Sequence, residues 1–593
     1  MAEDLIRAAL EEAQSFRPAR PDGLLNPEAW PYRLTEAGVQ KRQKVGDELQ
    51  WRLFAPPLEV LADLRDGEGR GWSRLVGFRD RDGRRHEIPL AMAEIGAGRG
   101  AELLALLASG GYETPIQSTA RSDLLNCIMQ ARPAARLRKV ERLGWHGGAY
   151  VLPDQVIGAP QGERIAFQPP GDFEHAFRAA GSLEGWREEI AAPCAGNSRL
   201  ALSLCMGFAA PLLALLEEEG GGVHLRGGSS LGKTTALNVA ASLWGGGEPG
   251  YVRSWRATSN ALEGVALAHN DGLLCLDELG ECDPRAAGEA AYMLGNGIGK
   301  GRASRSGSAR AVARWRLLFL STGELSLSDK IAEAGAGKRA RAGQELRFLD
   351  LPADAGAGLG IFERLPEGRA PGDFSKALKE AARRHRGWAG PAFVLWIASR
   401  REEVREAAKA FMAEFLRRAT SEKTAGQAGR AARRFALIGA AGELAREAGI
   451  LPWPSGEALR AADLCLRVWL EERGGDGSAE ARAAVEQVRS FLEAHGASRF
   501  QSAEVSGERV IERLGFWRPG PEGAREYLVP ASSFKRVLAA GHDPKLMLQA
   551  LKAAGILRTE GEALAAQSIY IGAEGQSMRV HVLRLREEGP DHG

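Results

Sequence analysis

The sequence predicts an α/β protein whose central core is flanked by a mixed α/β N-terminal domain, a helical region and a C-terminal winged helix. Helical and strand signals alternate between residues 173 and 352, which is typical of a sheet covered by helices. Alanine, arginine, leucine and glutamate recur at helical spacing between 375 and 473. Helical signals followed by two strand signals fill the tail, in the order of a winged helix. The expected domains are 1–165 (N-terminal domain), 166–370 (α/β core), 371–474 (helical region) and 479–593 (winged helix).

Length, composition and charge agree with several folded domains. The chain has 593 residues, enough for three to five domains of about 150 residues each. Hydrophobic residues make up 44% and charged residues 26%, a balance typical of a folded protein and not of a disordered one. Because the formal net charge is only +2, a uniformly basic nucleic-acid-binding protein is excluded, and any charge-driven binding must be local.

Cysteine usage and hydropathy point to the cytoplasm. The six cysteines form no C-x-x-C pair, so we expect buried thiols in a reducing compartment and neither a zinc site nor a disulfide scaffold. The N-terminus carries acids where a signal peptide needs bases. The longest apolar stretch, 200–216, is interrupted by Ser203, Gly207 and Pro211, which favours a buried helix over a membrane span. We therefore expect no membrane partner.

The N-terminal domain shows a hairpin pattern. Residues 72–78 alternate, Asp80-Arg-Asp-Gly83 has the composition of a turn, and residues 84–89 resume the strand. Trp72 and Trp145 are expected in the hydrophobic core.

A glycine-rich loop is the most specific motif of the chain. It matches G-x-x-x-x-G-K-T, with a strand at 222–226 before it and a helical pattern at 236–243 after it. The glycines let backbone N–H groups surround phosphates, and the helix N-terminus favours negative charge. Lys233 is expected to reach the β- and γ-phosphates, and the Thr234 hydroxyl is a candidate Mg²⁺ ligand. The expected nucleotide-binding residues of the loop are Gly227, Gly228, Ser229, Ser230, Leu231, Gly232, Lys233, Thr234 and Thr235.

A second motif supplies carboxylates. The apolar strand 272–276 is followed by Asp277 and Glu278, and a parallel sheet places its ligands at this end of its strands. We expect Asp277 to hold Mg²⁺ together with Thr234, and Glu278 to orient or deprotonate the attacking water. The two motifs together predict an ATPase that uses ATP and Mg²⁺.

A third strand, 315–320, ends in Ser321 and Thr322. Ring-forming ATPases of the AAA+ type have a polar residue at this strand end near the γ-phosphate, commonly asparagine. We expect Thr322 to fill that role here, with Ser321 as the alternative.

A basic stretch suggests contacts beyond the nucleotide. Residues 299–347 contain eleven lysines and arginines against four acids, which suits contacts to a phosphate backbone. In a hairpin that projects into a ring's central pore, Lys300, Arg302 and Arg305 would contact DNA; a solvated basic loop is the alternative.

Arginines are also candidates for sensing or reaching ATP. Arg341 is the favoured arginine finger toward a neighbouring subunit's ATP, with Arg347 and Arg339 as rivals. Arg430 and Arg434 share one helical face, where either could sense the γ-phosphate, although surface arginines are common on alanine-rich helices.

The ordered motifs resemble the domain of unknown function 927 family over roughly residues 30–450. The resemblance implies an AAA+ replicative helicase of prophages, plasmids and other mobile elements, related to superfamily 3 and MCM-like groups. It also implies a hexameric ring that moves 3′→5′ on DNA, using ATP. The motifs that carry it are Gly144-Trp145, Phe173, Gly232-Lys-Thr234, Leu276-Asp-Glu278, Asn296-Gly-Ile-Gly-Lys300, Ser321-Thr-Gly-Glu324, Ala342-Gly-Gln-Glu-Leu-Arg347 and Pro352-Ala-Asp354.

The resemblance leaves the flanking domains open. Some relatives carry a primase domain, but the candidate carboxylates Asp80 and Asp82 precede Gly83, which favours a turn over a metal pair. The N-terminal domain is expected to form a collar that binds DNA, a partner or neighbouring subunits. The winged helix is expected to bind DNA or to pack against a partner. A primase or a single-strand-binding protein is a possible partner of the chain.

Two other classes of function remain alternatives. One is an ATP-dependent switch or remodeller that acts on a protein partner. The other is an origin-binding or regulatory protein with a decayed ATP site, against which the intact Lys233, Thr234, Asp277 and Glu278 argue.

Overall fold

The structure is a computed structural model with two compact units. The first unit comprises the described residues up to Phe415 together with Phe435–Cys465, and the second comprises Leu416–Arg434 together with the described residues from Leu466 onward. The predicted domain boundaries stay predictions. The described residues are 30–158, 164–169, 173–247, 250–301, 312–335, 342–420, 424, 426–473, 479–505, 510–520, 524–540, 542–559 and 564–585.

The N-terminal part of the first unit is mixed α/β. Its strands form an antiparallel sheet β1-β2-β3, a mixed sheet β11-β7-β4-β5-β6 and a small antiparallel sheet β10-β9-β8. The elements, in chain order, are β1 (Tyr32–Thr35), β2 (Gly38–Val45), β3 (Glu48–Ala55), β4 (Glu59–Arg65), β5 (Ser73–Arg79), β6 (Arg85–Ala91), α1 (Met92–Gly96), α2 (Gly100–Ser109), α3 (Ser118–Gln130), β7 (Arg136–Val140), β8 (Gly144–His146), β9 (Ala149–Leu152), β10 (Gln155–Ile157) and β11 (Arg164–Phe167).

The predicted hairpin is confirmed. Strands β5 and β6 pair antiparallel, and Gly83 N–H donates to the Asp80 carbonyl at 3.0 Å to close the turn. The Asp80 carboxylate accepts from the Asp82 and Arg84 N–H groups, so its geometry is that of a turn residue.

The two tryptophans differ in burial. Trp145 is 7% exposed, as expected, and its indole N–H donates to the Pro211 carbonyl at 2.9 Å. The expectation for Trp72 was wrong, because its side chain is 38% exposed. It lies beside the turn before β5, where its indole N–H donates to Gly69 and the Arg65 guanidinium lies over its ring.

A buried helical segment leads to the central sheet. Every residue of the helix at Ser198–Ala209 is buried, which confirms the interpretation of the apolar stretch. Among the described residues, no helix is long and apolar enough to cross a membrane. The segment consists of α4 (Leu183–Trp186), a π-helical turn (Arg187–Ala191), α5 (Ala192–Cys194), α6 (Ser198–Ala209) and α7 (Leu212–Leu216).

The central sheet is parallel throughout and has the order β13-β14-β15-β12-β16. Its middle strands are apolar runs buried on both faces, as expected for parallel strands covered by helices. The strands are β12 (Gly221–Arg226), β13 (Arg253–Ser254), β14 (Leu273–Asp277), β15 (Leu318–Gly323) and β16 (Phe348–Pro352). The helices between them are α8 (Lys233–Ala241), α9 (Ser259–Leu267), α10 (Pro284–Asn296), α11 (Leu327–Ala332) and α12 (Ala342–Glu345).

The predicted helical region is helical. It holds α13 (Pro371–Arg384), α14 (Ala389–Ser399), α15 (Arg401–Ala419), α16 (Gly426–Glu447) and α17 (Glu457–Glu472).

The C-terminal part of the second unit contains more strands than the sequence predicted. The helices near 485–495 and 544–554 and the final two strands are present, but three further strands lie between the two helices. The sheet order is β17-β18-β19-β22-β20, with β21 paired to β22. The elements are α18 (Ala479–His495), β17 (Phe500–Ser502), β18 (Gly515–Pro519), β19 (Arg525–Pro530), α19 (Ala531–Ser533), a π-helical turn (Phe534–Leu538), α20 (Pro544–Ala553), β20 (Leu557–Arg558), β21 (Gln567–Ile571) and β22 (Gln576–Arg584).

The cysteines behave as small core residues. All six are buried and free, as the sequence predicted. Burial raises the pKa of the Cys465 thiol to about 11, so this thiol is protonated and unreactive near neutral pH.

Candidate nucleotide-binding site

The glycine-rich loop connects β12 to the N-terminus of α8, as its sequence predicted. Its backbone takes positive φ at Ser230 (66°) and Gly232 (96°), a region that glycine enters without penalty. A Cβ on Gly232 would lie 2.6 Å from Cγ2 of Ile361, so both conformation and space require glycine there. The loop therefore presents the start of α8 to its concave side, where an anion is favoured.

Lys233 closes the loop. Its side chain is almost buried, and Nζ donates to the carbonyl oxygens of Gly227 and Gly228, each at 2.6 Å. These bonds hold the ammonium inside the loop, at the place where phosphates would lie next to it.

The carboxylates follow β14, the strand two places from β12 in the sheet. Asp277 is the last residue of the strand, and Glu278 takes φ 57° and ψ 78°, which is rare for a residue with a side chain. The Glu278 carboxylate accepts from the Gly280 N–H at 3.2 Å. Strained backbone of this kind concentrates at functional sites, because the surrounding structure must hold it in place.

At the end of β15, Thr322 contacts both Asp277 and Glu278, and its expected role near the γ-phosphate stays a prediction. Thr322 is buried, its hydroxyl donates to the Asp277 carboxylate, and it accepts from the Glu278 N–H at 3.4 Å. Thr322 thus contacts both acidic residues: the side chain of Asp277 and the backbone of Glu278. Ser321 lies deeper, where its hydroxyl bonds to the Trp255 indole at 2.8 Å and to His224 Nδ1 at 2.9 Å.

A cavity of about 460 Å³ brings the two motifs together. Lys233, Thr234, Asp277 and Glu278 all line it, so the four residues expected to do the chemistry share one space. Its lining residues are Ser229, Ser230, Leu231, Gly232, Lys233, Thr234, Asp277, Glu278, Glu324, Leu359, Phe362, Pro371, Gly372, Ser375 and Lys379.

Sequence reasoning missed two charged residues of this cavity, Glu324 and Lys379. Glu324 follows β15, and its carboxylate accepts from the Ser229 hydroxyl at 2.7 Å. Its place after the third strand was a signal that could have identified it. Lys379 lies on α13, more than one hundred residues beyond the loop, and no local pattern marks it.

Helix α13 also contacts the helix that follows the loop. The Thr235 hydroxyl and the Ser375 hydroxyl form a hydrogen bond, so Thr235 faces α13, and Thr235 is not among the residues that line the cavity. This contact places the cavity between the parallel sheet and the first helix of the helical region.

The oxygen donors of the cavity fit a magnesium ion. Thr234 provides a hydroxyl and Asp277 a carboxylate, and both line the same space. Mg²⁺ prefers oxygen ligands and is held by one or two carboxylates plus substrate phosphates in nucleotide sites. Among the described residues, no group of three or more histidine, cysteine, aspartate or glutamate side chains could hold a metal by itself.

A buried histidine lies on β12, the strand that precedes the loop. His224 of β12 bonds to the Leu325 carbonyl through Nε2 at 3.0 Å. Burial, together with the positive charges of Arg226 and Lys233, lowers the pKa of His224 to about 3. The imidazole is therefore neutral at physiological pH and serves the packing of the sheet.

The residues at the base of the predicted basic hairpin pair with each other. Ile298 pairs with Arg314, and Gly299 N–H donates to the Ala313 carbonyl at 2.9 Å. Lys300 donates its backbone N–H to the buried Glu263, and its Nζ lies 3.1 Å from the Glu289 carboxylate. The candidate DNA-contacting residues Arg302 and Arg305 lie outside the described residues.

None of the arginine candidates that the structure describes is among the residues that line this cavity. Arg347 precedes β16, stacks over the Tyr292 ring at 4.7 Å and donates to the Asn296 side chain at 3.2 Å. Arg430 and Arg434 belong to the second unit, whereas the cavity belongs to the first. Arg339 and Arg341 lie outside the described residues, and all five assignments stay predictions.

Comparison with known proteins confirms the family resemblance. Residues 32–314 match the model of the domain of unknown function DUF927. The solved structure of SCCmec type IV Cch, described as an active helicase, superposes with a TM-score of 0.71 at 19% identity. The match covers 94% of this chain and 98% of that one, so the two share a fold along nearly their whole length. No curated protein matches the sequence.

Proposed function

Because residues 32–314 match the model of the domain of unknown function DUF927, we propose that the chain is an ATP-driven replicative DNA helicase of a mobile genetic element. One observation carries the proposal: Lys233, Thr234, Asp277 and Glu278 line one cavity at the carboxyl ends of a parallel sheet. The shared fold with SCCmec type IV Cch supports the same class of motor.

The core is proposed to be an AAA+ ATPase. The strand order is β13-β14-β15-β12-β16, and the phosphate loop follows β12, which lies between β15 and β16. This arrangement supports the assignment. Since the active site of such a motor lies between subunits, the protein forms a ring, which we take to be a homohexamer. An arginine of the segment 339–347 then completes the neighbouring subunit's site.

Each residue of the cavity has a role in ATP hydrolysis. The loop N–H groups and Lys233 bind the β- and γ-phosphates, and Lys233 exchanges its bonds to the loop carbonyls for bonds to the phosphates. Thr234 and Asp277 hold Mg²⁺, which neutralises charge on the phosphates when bound. Glu278 orients the attacking water and accepts its proton, while Thr322 keeps Asp277 and the Glu278 backbone in place.

The hairpin that begins at Lys300 is proposed to grip one DNA strand by its phosphates. Lysines and arginines bind the backbone without reading bases, so unwinding is largely independent of sequence. Movement in the 3′→5′ direction is proposed from the family resemblance. The C-terminal winged helix is proposed to help the ring load at an origin.

The hairpin gives the test that separates a helicase from a remodeller of proteins. Replacing Lys300, Arg302 and Arg305 with glutamine is expected to abolish stimulation of ATP hydrolysis by single-stranded DNA. A matched control replaces three cations in and just before α13, Arg369→Gln, Lys376→Gln and Arg383→Gln, and is expected to keep the stimulation.

The opposite result identifies the alternative function. If DNA stimulates wild-type protein and hairpin variant equally, the hairpin does not contact DNA. If DNA stimulates neither, the ATPase acts on another partner, and a protein remodeller becomes the better explanation.

A further inference from the structure

The N-terminal sheet β1-β2-β3 has an outward face and an inward face. Its register pairs Arg33 with Gln40 and Arg42 with Trp51, and side chains of paired residues lie on the same face. The inward face is anchored by Lys41, whose Nζ lies 2.6 Å from the Asp123 carboxylate of α3. Alternation along the strands then places the following side chains outward: Arg33, Thr35, Gln40, Arg42, Lys44, Leu49, Trp51 and Leu53.

Among the residues that the structure describes, β1, β2 and β3 place cations and no acids on the outward face. Arg33, Arg42 and Lys44 lie on it, whereas the acids of this segment lie elsewhere: Glu36 and Asp47 in turns and Glu48 on the inward face. Lys44 lies 3.7 Å from Asp47, but both side chains are largely exposed, so this pair contributes little. In a chain with a net charge of only +2, the face is a local positive surface.

An aromatic ring lies among these cations. The Arg33 guanidinium is 4.6 Å from the centre of the Trp51 ring, and the Arg42 guanidinium is 6.0 Å from it. Leu49 and Leu53 flank the tryptophan on the same strand and are 63% and 58% exposed. Trp51 is half-buried. Cations around an aromatic ring with apolar neighbours are what a sequence-tolerant nucleic-acid surface requires: charges for phosphates, and planar and apolar groups for bases and sugars.

We propose that this outward face, centred on Arg33, Arg42, Lys44 and Trp51, is a DNA-binding surface distinct from the hairpin that begins at Lys300. It rests on the proposed function, because it gives the motor a second grip on the strand that it translocates. The contacts are to phosphates and base planes, so the surface accepts single-stranded DNA of any sequence.

The charge pattern favours DNA over a protein partner. A protein surface that docks on leucines and a tryptophan would be expected to place acids as well as bases around them, since interface rims are polar and mixed. Among the described residues, the charged side chains that β1 and β2 place on the outward face beside Leu49 and Leu53 are all cations, and Asp47, in the turn after β2, lies 3.7 Å from Lys44. A polyanion is the partner that this pattern complements.

The test is the salt dependence of DNA binding by the full-length chain. Fluorescence anisotropy of a labelled oligothymidylate is measured between about 50 and 200 mM salt for wild type and for the variant Arg33→Gln/Arg42→Gln/Lys44→Gln. Each lost phosphate contact on a single strand makes the slope of log K against log salt concentration shallower by about 0.7. The slope of the variant is therefore expected to be shallower than that of wild type by about two. Trp51→Leu is expected to weaken binding without changing the slope.

A matched control distinguishes the loss of this surface from a general loss of positive charge. Arg52→Gln/Arg70→Gln/Arg99→Gln removes three cations of the same domain that lie off the outward face, and is expected to keep the wild-type slope. Circular dichroism and the thermal unfolding midpoint check that each variant is folded, which exposed polar substitutions should leave intact.

The outcomes distinguish this proposal from the helicase proposal. If wild type binds DNA and the outward-face variant keeps the same slope, this surface does not contact DNA, although the motor assignment stands. If the variant instead changes the oligomeric state in sedimentation at unchanged DNA affinity per subunit, the face is an interface between copies of the chain, and the proposal is wrong. If wild type binds no DNA, both proposals fail together.

Discussion

The hydroxyl of Thr322 donates to the carboxylate of Asp277, and Leu276 and Ser321, the residues just before them, pair in adjacent strands of the parallel sheet. The same hydroxyl accepts from the N–H of Glu278. One buried side chain therefore fixes the carboxylate proposed to bind Mg²⁺ and the backbone of the residue proposed to activate water. A second layer of this kind sets the orientation of the groups that touch the reacting atoms.

Thr322→Val is expected to lower kcat for ATP hydrolysis about 10- to 100-fold, the range found when a supporting hydrogen bond behind a metal ligand is lost. Valine keeps the shape of threonine but removes the hydroxyl from Asp277. Binding of a fluorescent ATP analogue is expected to persist, because Thr322 does not line the cavity. Thr322→Ser restores the hydroxyl and should recover most of the rate; equal loss in both variants would contradict the positioning role.

Glu278→Gln is expected to lower kcat by about 10²- to 10⁴-fold, the range typical of a lost general base, while ATP still binds. Glutamine keeps the size of the side chain but cannot accept the proton. The control is Glu281→Gln, which alters an exposed acid outside the cavity that bonds to Ser254. Rapid hydrolysis by the Glu278 variant would assign the base to another residue, with Glu324 as the next candidate.

Lys379→Gln is expected to raise KM for ATP by about tenfold, which corresponds to about 1.4 kcal/mol of binding free energy. Lys379 lines the cavity from α13, so its charge is available to an anionic nucleotide. Lys376, three residues earlier on the same helix, is exposed and does not line the cavity. Steady-state kinetics of Lys376→Gln provide the matched control, and an unchanged KM in both variants would remove Lys379 from the site.

His269 predicts a dependence of stability on pH. Burial, with a smaller effect of the Arg253 charge, lowers the pKa of His269 to about 4, and Nδ1 donates to the Val265 carbonyl. Its contribution to stability is complete above about pH 6.5, where folded and unfolded chains both hold a neutral imidazole. As the pH falls from 6.5 toward 4, the imidazole is protonated in the unfolded chain but stays neutral in the folded chain. The free energy of unfolding therefore falls by about 1.4 kcal/mol per pH unit.

The matched variant is His269→Asn, which keeps a side-chain donor and removes the titrating group. Urea unfolding of both proteins at several pH values between 4.5 and 7.5 is expected to give a pH slope smaller by about one proton in the variant. Parallel slopes would show that the histidine does not titrate as its burial implies.

The core of the site was predictable from sequence because its determinants are local. A glycine loop between a strand and a helix, and an apolar strand that ends in Asp277, each carry their meaning within about ten residues. The hairpin turn at Gly83 was predictable for the same reason. These elements need no knowledge of distant parts of the chain.

The residues that sequence reasoning missed depend on tertiary structure. Lys379 reaches the cavity because α13 packs beside α8, a contact that no local pattern encodes. The hydrogen bond from the Thr322 hydroxyl to Asp277 likewise depends on how neighbouring strands are placed, while the expected role of Thr322 near the γ-phosphate stays a prediction. Trp72 was expected in the core, yet it lies beside a turn, where Arg65 covers its ring.

The central claim is that the cavity hydrolyses ATP to move the protein along DNA. The most direct measurement is ATP hydrolysis with and without single-stranded DNA, together with displacement of a labelled strand from a forked duplex, with Lys233→Ala as the control. We predict strong stimulation by DNA and ATP-dependent displacement by wild type, and neither by the control. Hydrolysis that is indifferent to DNA, without strand displacement, would contradict the account.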